Sequence, residues 1–128
     1  MINTLWSIST NLKNGQISRR TFIYQPRTHM TIVFLNILWD EGFILGYKTD
    51  NFNTKWLKIF LKYRRGDPVI NSIKFIYKPS RSLSYSVRQL WKFDLKKSLM
   101  ILTTSKGLMT AHECIKTNKG GIPLFLIK

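Results

Sequence analysis

The sequence predicts an α+β fold in two small lobes. Three features carry that expectation: two amphipathic helical stretches near the amino terminus, a series of short aromatic-rich runs bounded by turn residues, and a basic Pro/Ser-rich break at Lys78-Pro79-Ser80-Arg81-Ser82. With 128 residues, 44% hydrophobic and 13% aromatic, the chain suits one compact domain or two lobes with a real core. A large enzyme with separate cofactor and substrate domains is excluded, and so is a disordered basic tail. The expected division is an α-β-α-β-β lobe, or close to it, over residues 1–77 and a β-rich lobe with short helices over residues 78–128.

Taking the elements in order, Leu5, Trp6, Ile8 and Leu12 recur at helical spacing, and Asn14-Gly15 is expected to stop that first helix. Thr28 is expected to cap a second, in which Met30, Val33, Phe34, Ile37 and Leu38 form one stripe before Asp40-Glu41-Gly42. Residues 43–47, 55–63 and 69–77 read as strands, with Arg65-Gly66-Asp67-Pro68 as a hairpin turn. Past the break, residues 82–86 read as a short strand, 87–93 as a short helix and 99–102 as a buried strand, followed by the polar loop Thr103-Thr104-Ser105-Lys106-Gly107. Thr110 caps a last helix through Thr117, Lys119-Gly120-Gly121 turns the chain, and residues 122–127 close as a strand. Pro123 has no N–H to donate, so that strand should start there or lie at an edge.

Charge narrows the function. Twenty-one Lys and Arg against six Asp and Glu leave a net charge of +15, whose usual meaning is a polyanionic partner, nucleic acid or an anionic membrane. The longest uncharged apolar run, residues 30–39, is half a membrane span, and no basic amphipathic helix favours a membrane surface. The first twelve residues carry no charge, which fits neither a secretory signal nor an Arg-rich presequence, so the chain is expected to be mature from its first residue. A lone cysteine, Cys114, points to a reducing compartment. Heavy use of Phe, Tyr, Met, Ile, Asn and Lys, with a single alanine, indicates an AT-rich coding genome such as a mitochondrion or plastid.

Catalytic chemistry is thin. His112-Glu113-Cys114 point in different directions on a helix and lack a second ligand cluster, so no metal is expected. Adjacent Ser105 and Lys106 do not easily present amine to hydroxyl, the six acids form no acid–base pair, and no nucleotide-binding glycine motif occurs, so no cofactor or small-molecule substrate is expected. Anion binding is better served. Thr103, Thr104 and Ser105 offer three hydroxyls, Lys106 a charge, and Gly107 a close backbone approach. Lys78, Arg81 and Arg88 interleave with Tyr77 and Tyr85, a mixture of cations and π-faces that suits RNA, whereas Lys92, Lys96 and Lys97 equally fit a solvated helix face. From these residues alone an RNA-binding regulator, a basic enzyme using Ser105 or His112, and a membrane-surface protein all stay open.

The run Thr103-Thr104-Ser105-Lys106-Gly107-Leu108-Met109-Thr110 resembles the signature of the bacterial-type small ribosomal subunit protein eight family: hydroxyl residues, Lys-Gly, an aliphatic, then Met-Thr. Asn14-Gly15-Gln16, residues 40–44, Leu61-Lys62-Tyr63, Lys78-Pro79 and Gly120-Gly121 follow the family in collinear order across nearly the whole chain. The resemblance implies a two-lobed protein that binds the central domain of small-subunit ribosomal RNA, supports its assembly without turnover, and has neighbouring small-subunit proteins as partners. Carried over, the RNA contacts are Thr104, Ser105, Lys106 and Gly107 with Thr103 in support, joined by Lys78, Arg81 and Tyr85 at the junction, while Lys13 and Asn14 reach a second RNA segment. The chain departs from the family at Ser80, where Gly is usual, at Ile122 and Leu126, where Glu and Tyr are common, and at Lys96-Lys97-Ser98, a stretch usually rich in glycine. Together with the coding bias, an organelle-encoded version is expected, in the mitochondrial small subunit or alternatively the plastid stroma.

Overall fold

A computed structural model describes residues 2–76, 86–92 and 98–128. The expected strand over 82–86, apart from Ser86, and the site residues Lys78, Arg81 and Tyr85 lie outside these. The order is α1 (Ile2–Ile17), β1 (Phe22–Pro26), α2 (His29–Asp40), β2 (Ile44–Thr49), β3 (Trp56–Leu61), β4 (Tyr63–Arg64), β5 (Asp67–Pro68), β6 (Ile73–Phe75), α3 (Val87–Leu90), β7 (Leu99–Thr104), β8 (Gly107–Thr110), α4 (Ala111–Lys116) and β9 (Ile122–Ile127). The mixed α+β class is as expected. Close contacts divide the chain into two compact units, residues 1–71 and 72–128.

In the first unit, α1 and α2 cover one face of an antiparallel sheet ordered β1-β3-β2. Leu5, Ile8 and Leu12 supply the buried face of α1, whereas Trp6, expected on that face, is 57% exposed. The helix does not stop at Asn14-Gly15. It runs on to Ile17 and closes in a Schellman turn, with Arg19 at φ 55° and the Arg19 and Arg20 amides donating to the Gln16 and Gly15 carbonyls. Gly15 serves packing instead: a Cβ there would stand 2.7 Å from Ile23 Cγ2 and 3.1 Å from Leu61 Cδ1, so its absence lets the helix lie close on the sheet.

Thr28 caps α2 as expected, its Oγ1 accepting from the Thr31 amide at 3.1 Å. The buried stripe is Thr31, Phe34, Leu35 and Leu38, rotated from the expected one so that Met30, Val33 and Ile37 are its half-buried flanks. The strand between the helices, to which the sequence pattern assigned no residues, is β1. Its buried positions are only Ile23 and Gln25, too short an alternation to stand out. Arg65 and Gly66, at φ 54° and 83°, make the expected tight turn between β4 and β5, with the signs of a type I′ hairpin.

In the second unit the sheet order is β6-β9-β7-β8, all antiparallel. Of the strand expected over residues 69–77, of which Tyr77 lies outside the described residues, Ile73–Phe75 forms and pairs with β9, where Phe75 and Phe125 rings meet at 5.1 Å. Leu90, Met100, Leu102, Met109, Ala111 and Cys114 form one buried cluster, with Ile115 and Leu126 against it. Ser86 caps α3 in a reciprocal capping box with Gln89, and Thr110 caps α4 by accepting from the Glu113 amide at 3.2 Å. Strand β9 starts one residue before Pro123 but lies inside the sheet, a correction to the edge expectation. The β6 register ends at Phe125 before it reaches Pro123, and the β7 register shifts at Ile101/Leu102 beside it.

Candidate nucleic-acid interface

The hydroxyl-Lys-Gly run folds not as a loop but as a hairpin. Thr103 and Thr104 end β7 opposite Leu108 and Gly107 of β8, leaving Ser105 and Lys106 as the turn. Neither turn residue has a positive φ, whereas Gly107 has φ 104°, the signs of a type I turn closed by a glycine bulge. Gly107 thus holds the turn's shape, a position a side chain would strain. Thr104 is spent inside the turn: its Oγ1 accepts from the Lys106 amide at 3.1 Å and donates to the Gly107 carbonyl at 3.0 Å. Exposed at the tip are Ser105 and Lys106, with Thr103 and Thr104 half-buried behind them. Of the three hydroxyl residues, Ser105 is exposed at the tip, Thr104 is engaged within the turn, and Thr103 is half-buried at the end of β7.

Sequence reasoning missed Lys119. Helix α4 ends in a second Schellman turn, with Asn118 at φ 58° and the Asn118 and Lys119 amides donating to the Ile115 and Cys114 carbonyls. That turn delivers Lys119 to Lys106. The Lys119 amine is held below the ordinary lysine range by hydrogen bonding with Lys106, by desolvation, and by the Lys106 charge. Gly121 makes the juxtaposition possible, since a Cβ there would stand 2.7 Å from the Thr103 carbonyl oxygen and 2.9 Å from Thr104 Cγ2. The usable signal was Asn118-Lys119-Gly120-Gly121 after a helical pattern; what the pattern lacked was the Thr103↔Ile122 register that brings it beside the hairpin.

Lys13 and Asn14 are exposed on the last turns of α1, in the first unit, and the hairpin belongs to the second. On α4, His112 and Glu113 are exposed while Cys114 is buried, its thiol pushed up by burial and then by the Glu113 charge. Among the described residues no helix is long and apolar enough to cross a membrane.

Clustered amines, an exposed hydroxyl and a rigid glycine-closed turn on a chain of charge +15 define a nucleic-acid-binding class of protein. Residues 3–127 match the family model described as ribosomal protein S8. The chain is 35% identical over 114 residues to the small ribosomal subunit protein uS8 of Baumannia cicadellinicola subsp. Homalodisca coagulata, covering 88% of this chain and 86% of that one. It is 33% identical over 120 residues to the uS8 of Rhodopseudomonas palustris strain BisB18, covering 92% and 91%. The chain belongs to the ribosomal protein S8 family. It is a structural, non-enzymatic, ribosomal-RNA-binding constituent of the small ribosomal subunit, with small-subunit RNA and ribosomal proteins as its partners.

Proposed function

We propose that the Ser105–Lys106 turn, completed by Lys119, grips an irregular stem in the central domain of small-subunit ribosomal RNA and supports assembly of that domain. The observation that carries this reading is the glycine-closed hairpin that holds Ser105 and Lys106 exposed at its tip, with the Thr103↔Ile122 pairing bringing the turn that bears Lys119 alongside it. Ser105 donates to a sugar or phosphate oxygen, Thr104 and Gly107 hold the turn in shape, and Thr103 supports the contact. In this reading residues 78–128 are the RNA-binding lobe and Lys78, Arg81 and Tyr85 extend its contact at the junction. Lys13 and Asn14, from the lobe of residues 1–77, touch a second RNA segment. The test is binding of the full chain to a stem-loop from that central domain, compared with a Ser105→Ala/Lys106→Ala variant: specific affinity is expected to fall, and unchanged affinity would move the site elsewhere.

The coding bias toward Ile, Asn, Lys, Phe and Tyr, with one alanine, supports an organelle-encoded protein of the mitochondrial small subunit. Fractionation of the source cells tests this. Recovery with mitochondrial small subunits is expected, while recovery with plastid or bacterial ribosomes would overturn the mitochondrial assignment.

A further inference from the structure

The outward face of the amino-terminal sheet carries a chemistry that the hairpin does not explain. Register places Phe22 opposite Phe60, Tyr24 opposite Lys58, Pro26 opposite Trp56, and Lys48 opposite Lys58. Side chains paired this way share a face, and it is the face turned away from Ile23, Leu57, Ile59 and Leu61, which are buried. Tyr24 is 43% exposed, Trp56 41% and Phe22 36%. Phe22 and Tyr24 meet edge to face at 5.5 Å. At the centre, Lys58 Nζ stands 4.0 Å from the Phe22 ring centroid and 5.4 Å from that of Phe60, and Lys48 Nζ stands 5.9 Å from the Phe60 centroid. Two like charges directly opposite on a ladder are unfavourable by themselves; β1, β2 and β3 contain no carboxylate, and Asp50 follows β2 at the rim, its amide donating to the Trp56 carbonyl at 3.0 Å.

We propose that this face is a further RNA site, separate from the contacts assigned to the hairpin and to Lys13 and Asn14: a stacking platform for unpaired nucleotides. Bases lie on the Tyr24 and Trp56 rings, while Lys48 and Lys58 neutralise the phosphates between them. Beside β1, an edge strand, a groove of about 570 Å³ lined by Asn11, Arg19, Arg20, Phe22 and Tyr24 continues the positive track for the backbone. An acidic or aliphatic protein surface fits less well. Apart from Gly46, Pro26 and, at the rim beside Trp56, Asp50, the rows present aromatic rings and ammonium groups, and rings interleaved with cations match a base–phosphate repeat. The proposal stands apart from the hairpin reading, because it uses other residues in the other unit.

The test uses the full chain and a short fluorescein-labelled oligouridylate, with anisotropy as the readout and circular dichroism as the check on folding. Tyr24→Leu and Trp56→Leu keep apolar bulk and remove the ring; each is expected to weaken binding by about 5- to 150-fold, the range for loss of one stacked base. Ser105→Ala/Lys106→Ala is expected to weaken oligouridylate binding less than either leucine variant does, and Trp91→Leu, which removes an exposed ring in the other unit, is expected to leave it within about twofold. Full affinity in both folded leucine variants overturns the proposal, and so does a loss confined to the hairpin variant. Ultraviolet crosslinking of the unaltered chain to the same oligonucleotide avoids the folding question: nucleotide adducts are expected on Phe22, Tyr24 or Trp56, and adducts confined to other residues overturn the site. In intact small subunits Lys58 is expected to gain acetylation after ribonuclease digestion. An amine crosslink from Lys58 to a neighbouring protein would make the face a protein interface and sink the proposal.

Discussion

Gly121 lies so close to Thr103 that a Cβ on it would stand 2.7 Å from the Thr103 carbonyl oxygen. The approach ties the α4–β9 connection to the base of the hairpin, so the position of Lys119 depends on a missing side chain. Gly121→Ala forces the backbone apart, and unfolding in urea is expected to show a loss of about 1–3 kcal/mol, the ordinary cost of overpacking. Equal stability would mean that the connection yields freely and does not brace the turn.

Gly15→Ala is expected to reverse the usual sign. Alanine in an open helix gains roughly 1 kcal/mol over glycine, but here its methyl meets Ile23 Cγ2 at 2.7 Å, and an overpacking cost of about 1–3 kcal/mol outweighs that gain. A rise in melting temperature would contradict the close packing of α1 on the sheet.

These two glycines mark the border of what the sequence discloses. Local chemistry was legible: Thr28 and Thr110 act as caps, Arg65-Gly66 turns a hairpin, and the hydroxyl-Lys-Gly run signals its family. Gly15 and Gly121 both resemble punctuation in one dimension and serve close approach in three. Distant pairing was hidden for the same reason. Nothing near Ile73 announces β9 as its partner, and nothing near Lys119 announces Lys106, because both meetings are set by sheet register. Thr104 and Ser105 look alike in sequence, yet only the turn geometry tells that the first hydroxyl is engaged and the second is exposed.

That difference separates two substitutions. Thr104→Val removes hydrogen bonds inside the turn and should cost about 1–2 kcal/mol of stability, measured by denaturant titration. Ser105→Ala, at an exposed tip, should change stability by less than about 0.5 kcal/mol while lowering RNA affinity. Equal stability effects would contradict the division of labour between them.

Cys114 gives a pH dependence of defined sign. Burial raises its thiol above the ordinary value of 9.0, so the stability it contributes is complete below that pH and is lost as pH rises through the folded value. Thermal melts from neutral to strongly alkaline pH should show a decline that Cys114→Ala lessens. Below that range the native thiol should resist alkylation, and rapid labelling of folded protein would contradict its burial.

Binding to the central-domain stem should weaken steeply with salt, with a log–log slope of about −3 to −6 for roughly four to seven phosphates neutralised. A flat response would exclude phosphate-driven binding by a chain of charge +15.

The most direct measurement compares the full chain with Lys106→Ala/Lys119→Ala for affinity to a stem-loop from the central domain of small-subunit ribosomal RNA, at one fixed salt concentration. Loss of charge-assisted bonds from the paired amines should weaken specific binding by about 1–3 kcal/mol, roughly 5- to 150-fold, with the fold intact. Undiminished affinity in the folded double variant would contradict the central claim that the hairpin and its neighbouring lysine hold the RNA.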